Sequence, residues 1–89
     1  MKITVTNQFT KDYKRCKKRG LNMELLKAVL IELSEGKKLD IKHRDHSLSG
    51  KYSGLRECHI QPDWLLVYKI SDDRLILTAT RTGSHSDIF

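Results

Sequence analysis

The alternation of apolar and polar positions divides the chain into short elements. Residues 2–6 alternate, Ile3 and Val5 against Lys2, Thr4 and Thr6, and their β-branched content predicts a short strand. Between Gln8 and Arg19 only Phe9, Tyr13 and Cys16 are apolar, at spacings of four and three. This gives a helix with one narrow buried stripe and a basic remainder, capped by Asn7 or Thr10 and ended by Gly20. Asn22 then caps a second helix, Met23 to about Ser34, which turns Leu25, Leu26, Val29, Leu30 and Leu33 to the core and stops at Gly36. No period survives from Lys37 to Gly54, which reads as one long loop of the kind that carries function in small domains. Strands are predicted at Leu55 to Ile60, Trp64 to Ile70 and Arg74 to Thr80, joined by Pro62-Asp63 and Asp72-Asp73 turns. The order is β-α-α-β-β-β. The last nine residues, Arg81 to Phe89, show neither helical nor strand pattern.

Two-residue turns fix a register. Gln61 pairs with Trp64, Ile60 with Leu65, His59 with Leu66 and Cys58 with Val67. In the second hairpin Ser71 pairs with Arg74, Ile70 with Leu75, Leu66 with Ala79 and Trp64 with Arg81. His59, Trp64 and Arg81 then share one face near one end of the sheet, with Asp63 at the tip and the His85 tail beside Arg81. A slip of one residue would scatter them.

A chain of 89 residues is a single domain, residues 1–89. Its 17 Lys and Arg against 11 Asp and Glu leave a charge of +6, which draws it to polyanions such as RNA, DNA or an acidic protein. Cys16 and Cys58 lie far apart without metal or redox spacing, so buried thiols in a reducing cytoplasm are expected. The N-terminus lacks the apolar run of a signal peptide, and no stretch approaches the roughly 18 apolar residues of a membrane span, so no membrane partner is expected.

The chemistry lies in the histidines. An imidazole gives or takes a proton near neutral pH, and one acid with one base suffices to cleave RNA by attack of the 2′-hydroxyl on its own phosphate, with no cofactor. His59 and His85 are candidates for that pair, Asp63 for orienting a histidine or acting as base, and Arg81 for the charged phosphorane. His46 is a third histidine in the long loop, where position alone leaves both it and His43 solvated. Position alone makes Trp64 core and Asp63 a turn residue. No HExxH or paired short-spaced ligand motif marks a metal site.

Three segments carry a resemblance: Asp45-His46-Ser47-Leu48-Ser49-Gly50, Arg56-Glu57-Cys58-His59-Ile60-Gln61-Pro62-Asp63-Trp64-Leu65-Leu66-Val67-Tyr68, and Arg81-Thr82-Gly83-Ser84-His85-Ser86-Asp87-Ile88-Phe89. With the element order they resemble the RelE/ParE superfamily, within it the YafQ-type ribosome-dependent mRNA interferases. The resemblance implies an α+β fold of two N-terminal helices packed on a small antiparallel sheet. It implies that His46, His59, Asp63 and His85 form the catalytic group, that Arg81 and Trp64 hold mRNA in the ribosomal A site, and that Phe89 stacks or orders the site. It further implies that the basic helix, with Lys11, Lys14, Arg15, Lys17 and Lys18, meets ribosomal RNA. A cognate acidic antitoxin would cover or distort the active face, and the complex would bind operator DNA through the antitoxin alone. Ser47 stands where such proteins commonly carry proline. The rival from another class is a ParE-like gyrase inhibitor without catalysis, which has no use for acid and base groups.

Overall fold

A computed structural model describes residues 1–89. The first strand, β1 (Lys2–Val5), leads through Thr6 into α1 (Asn7–Lys18). Thr6 caps this helix in place of the expected Asn7 or Thr10. Its hydroxyl accepts from the Phe9 N–H at 3.0 Å and donates to the Thr80 carbonyl at 2.7 Å, so one side chain both starts the helix and ties it to the sheet. The basic last turn, Arg15, Lys17 and Lys18, complements the negative end of the helix dipole. The second helix, α2 (Met23–Ser34), has the expected bounds, and Asn22 accepts from the Glu24 N–H at 3.2 Å. Leu26, Val29 and Leu33 form its buried stripe, whereas Leu25 lies exposed at the rim.

The stretch from Lys37 to Gly54 is more structured than its pattern predicts. It holds single 3-10 turns at Ile41–His43 and Gly50–Tyr52 and a two-residue strand, β2 (His46–Ser47), which exists through its pairing with the next strand. Two residues carry no period, so only the pairing could reveal it. The remaining elements are β3 (Arg56–Gln61), β4 (Trp64–Ser71), β5 (Ile76–Gly83) and a terminal α3 (His85–Ile88). The tail is therefore strand to Gly83 and then a short helix, contrary to the expectation from its lack of pattern. Ser84 and Asp87 start that helix as a capping box: each side chain accepts from the other's backbone N–H.

The strand order is β1-β5-β4-β3-β2, and β1 runs parallel to β5 while the other pairs are antiparallel. The sheet is thus mixed within the expected α+β class. Phe9, Cys16, Leu26, Val29 and Leu33 close on Cys58, Ile60, Trp64, Leu66, Tyr68, Leu77 and Ala79 to form the core between the helices and one face of the sheet. Leu65 and Val67 point to the opposite face, yet are only 1% and 2% exposed, so both faces are covered at mid-strand.

Two bulges alter the expected register. Gln61 pairs with Trp64 as predicted, but the ladder shifts between His59 and Gln61, so His59 pairs with Leu65, Cys58 with Leu66 and Glu57 with Val67. The extra residue turns His59 to the face opposite Trp64. In the second hairpin Asp72, Asp73 and Arg74 all adopt positive φ, the turn spans four residues, and Ser71 pairs with Ile76. A further shift beyond Val67 sets Arg81 opposite Val67 instead of Trp64.

Candidate active site

The register builds the site. One row across four strands reads His46, Glu57, Val67, Arg81, and the next row reads His59, Leu65, Gly83. Paired residues point to the same face, and strands lie about 4.8 Å apart, so His59 and Gly83 are separated by roughly 10 Å across two strands. The chain turns into α3 just past Gly83, which brings His85 to the end of the sheet that carries His59.

Glu57 links two histidines. His46 Nε2 lies 3.5 Å from Glu57 Oε2, and His59 Nε2 lies 3.9 Å from Glu57 Oε1, while Glu57 itself is 6% exposed. The other nitrogen of each ring faces a backbone carbonyl: His46 Nδ1 is 2.6 Å from the Arg44 oxygen and His59 Nδ1 is 3.1 Å from the Pro62 oxygen. A carbonyl only accepts, so Nδ1 carries the proton in both rings and Nε2 is left as the exchanging nitrogen. Both exchanging nitrogens thus face one carboxylate. His43 also departs from a solvated role, since its Nδ1 donates to the His59 carbonyl at 2.7 Å. The loop bearing His46 is anchored by Asp45, which accepts from the Tyr68 hydroxyl and pairs with Arg56 at 3.3 Å. Burial, then the hydrogen bond to Asp45, pushes the Tyr68 hydroxyl well above its usual range and keeps it a donor.

The tail brings the remaining groups. Asp63 Oδ1 accepts from the His85 backbone N–H at 3.2 Å, so Asp63 meets His85 through its main chain. The His85 ring lies 5.1 Å from that of Phe89, which stands edge-on to Tyr52 at 5.0 Å. Asp87 accepts from Arg19 at 2.7 and 3.3 Å, and these bonds, with those of Ser84, hold its carboxyl well below the usual carboxylate range. Arg81 Nε donates to Asp12 at 2.7 Å.

Trp64 is placed differently from its expected role. It is 2% exposed on the helix-facing side, and its Nε1–H donates to Thr82 at 2.9 Å, so its ring presents no stacking surface. On α1, Lys11, Lys14, Lys17 and Lys18 are exposed, whereas Arg15 pairs with Asp12 at 2.9 Å. Both cysteines are fully buried, and burial pushes the Cys58 thiol up to about 12. The largest cavity, about 650 Å³, lies elsewhere, between α2, the Ile41–His43 turn and the end of β3. Its apolar lining comes from α2 and the hairpin, and only His59 is shared with the histidine row.

Glu57, Tyr52, Asp12 and Asp87 went unassigned from the sequence. Glu57 and His59 at spacing two on a strand share a face, and Ser84-His85-Ser86-Asp87 has capping-box spacing. Both signals were present. Asp12 lies three and four residues from Phe9 and Cys16, on the apolar stripe itself.

Two helices packed on one face of a five-stranded sheet, with a histidine row on the other and a terminal helix closing its end, give the chain the small α+β fold of the RelE/ParE class. The family model described as the bacterial toxin of type II toxin-antitoxin systems, YafQ, matches residues 1–89. The chain belongs to this YafQ family. The mRNA interferase toxin YafQ of Escherichia coli K12 is 35% identical over 88 residues, 98% of this chain and 94% of the relative. A toxin from Helicobacter pylori, solved as a copper-bound mutant, superposes with a TM-score of 0.94 at 38% identity, covering 100% of this chain and 99% of its own. YafQ in the E. coli DinJ-YafQ complex gives a TM-score of 0.88 at 36% identity, covering 98% and 96%. In the present chain no set of three His, Cys, Asp or Glu side chains is arranged to hold a metal ion.

Proposed function

We propose that the chain is an endoribonuclease that cleaves mRNA in the ribosomal A site, using its own acid and base groups without a metal. The observation that carries this reading is the pair of imidazoles with Nδ1 fixed by backbone carbonyls and Nε2 turned to one buried carboxylate. In the reaction a base takes the 2′-hydroxyl proton, O2′ attacks the adjacent phosphorus, and an acid protonates the departing 5′-oxygen. The products are a 2′,3′-cyclic phosphate and a 5′-hydroxyl. His46, His59 and His85 supply the proton-transfer groups, with Glu57 stabilising the imidazolium that forms. Asp63 holds the start of the His85 helix, Arg81 meets the charged phosphorane, and Phe89 stacks on a base or orders His85. Trp64 fixes β4 to β5 through Thr82 and serves the core.

The exposed lysines of α1 suit ribosomal RNA, whose phosphates attract them without regard to sequence. Use of the ribosome suits so sparse a cluster of groups, since a bound ribosome holds the 2′-hydroxyl, phosphorus and leaving oxygen in line. The E. coli relative is found in complex with DinJ, and by analogy an acidic antitoxin neutralises this chain in the cytoplasm and carries the operator-binding part. The test is cleavage of a translated mRNA in an extract. Wild-type protein should cut, His85→Ala and His59→Ala should cut at least about a hundredfold more slowly while folded, and naked RNA should be cut poorly. A gyrase inhibitor would cut in no case.

A further inference from the structure

The ribonuclease reading assigns Arg81 to the phosphate, and the surroundings of Arg81 show what aims it. Asp12 is the single acid of α1, lies on the buried stripe with Phe9 and Cys16, and is 0% exposed. A carboxylate so placed is costly unless every lone pair is used. Here both oxygens are filled. Oδ2 accepts from Arg81 Nε at 2.7 Å and from the Thr82 N–H at 3.2 Å. Oδ1 accepts from Arg15 at 2.9 Å, Gln8 at 3.2 Å and Arg81 Nη2 at 3.3 Å. Burial opposes ionisation, but the bonds from Arg81, Gln8 and Thr82 outweigh it and hold the carboxyl below its ordinary value.

From the side of Arg81, one edge of the planar fork is fully engaged. Nε and Nη2 grip Asp12, and Nη2 also points to the Asp87 carbonyl at 3.4 Å. Nη1 makes no hydrogen bond within the protein, and the Arg81 side chain is 27% exposed. The plane is fixed on one edge and free on the other. A free arginine samples many rotamers and must lose that freedom on meeting a phosphate. Arg15, Arg19 and Arg81 against Asp12 and Asp87 leave this cluster one net positive charge, so the grip does not cancel its attraction for an anion.

We propose that Asp12 is a positioning residue for RNA cleavage: it presets the Arg81 guanidinium so that the open Nη1 edge receives a non-bridging phosphate oxygen without reorganisation. The inference rests on the ribonuclease reading above and deepens it. The proton-transfer chemistry of the histidines does not require this acid, which lies on a different element and outside the sheet.

The experiment is a double-mutant cycle, measured as cleavage of a translated mRNA at saturating ribosomes, with Asp12→Asn, Arg81→Ala and the two combined. Asparagine keeps the volume but loses the charge and an acceptor. Arg81→Ala is expected to slow cleavage about a hundredfold, and Asp12→Asn about tenfold with little change in half-saturation. The combined variant should be no slower than Arg81→Ala alone, because Asp12 acts through Arg81. An equal loss from Asp12→Asn in both backgrounds, or no loss beside an intact Arg81, would overturn the positioning role while leaving Arg81 at the phosphate. Wild-type cleavage by Arg81→Ala would overturn the role of Arg81 and this inference with it. If Asp12→Asn does not fold, Asp12→Glu enters the same cycle with the same expectation. The Arg81 Nε–H resonance reads the grip without substrate: it should exchange slowly with water in the wild type and rapidly in the Asp12 variant, and unchanged exchange would overturn the proposal.

Discussion

At the residue scale, Glu57 governs the largest share of the proposed chemistry. A single carboxylate faces Nε2 of both His46 and His59, so one buried charge stands within reach of both rings. Removing its charge while keeping its shape isolates that effect. Glu57→Gln should slow single-turnover mRNA cleavage by between about tenfold and a thousandfold. Circular dichroism should remain that of the wild type, because the amide still fills the same buried space. Loss of folding instead would make Glu57 a structural anchor. Trp64 belongs to the opposite category: it is buried and bonded to Thr82, so its truncation would remove core packing before it touched a substrate.

At the scale of elements, α3 has only four residues and stays in place through its first turn. Asp87 completes the capping box and grips Arg19 of the segment following α1, which ties the His85 helix to the body of the protein. Its folded carboxyl is held below the unfolded value of 3.8, so the stabilisation is complete above that pH and disappears as pH falls below it. Asp87→Asn should therefore flatten the decline of melting temperature between about pH 4 and pH 2. It should also cut mRNA cleavage about tenfold through misplacement of His85. Thermal melts across that range and the extract assay measure the two effects separately. The same scale explains what the sequence could disclose. The periodicity of Leu26, Val29 and Leu33 and the cap at Asn22 made α2 legible, and the Pro62-Asp63 turn made the Gln61–Trp64 pair legible. The bulges near Ile60 and Thr80 leave no trace in the alternation, because each residue there is ordinary for a strand. They moved His59 and Arg81 away from Trp64, yet the gathering of His59, Asp63, Arg81 and His85 at one end survived, since it depends on strand order more than on face. Glu57 is legible only through its two-residue spacing from His59, which puts both on one face of β3.

At the scale of the whole molecule, the sheet separates two tasks. Its helix-facing side supplies the core, and no helix in the chain is long and apolar enough to cross a membrane. Its other side carries the histidine row, and the exposed lysines of α1 stand apart from that row, so the basic surface and the imidazoles occupy different parts of the molecule. The two are joined where α1, β5 and α3 meet, at Asp12, Arg81 and Asp87. Gly83 sits at that junction with φ of +152°, and a methyl group built on it would come within 2.9 Å of Asp87 Oδ2 and 3.2 Å of Arg15 Nη2. Because Ser84 and Arg19 hold the Asp87 carboxylate, it cannot swing aside without giving up its bonds. When cells expressing the chain are selected for escape from growth arrest, alleles such as Gly83→Ala should be recovered beside lesions in the histidines, as well-expressed protein that no longer poisons its host. One added carbon should thus suffice to disarm this molecule.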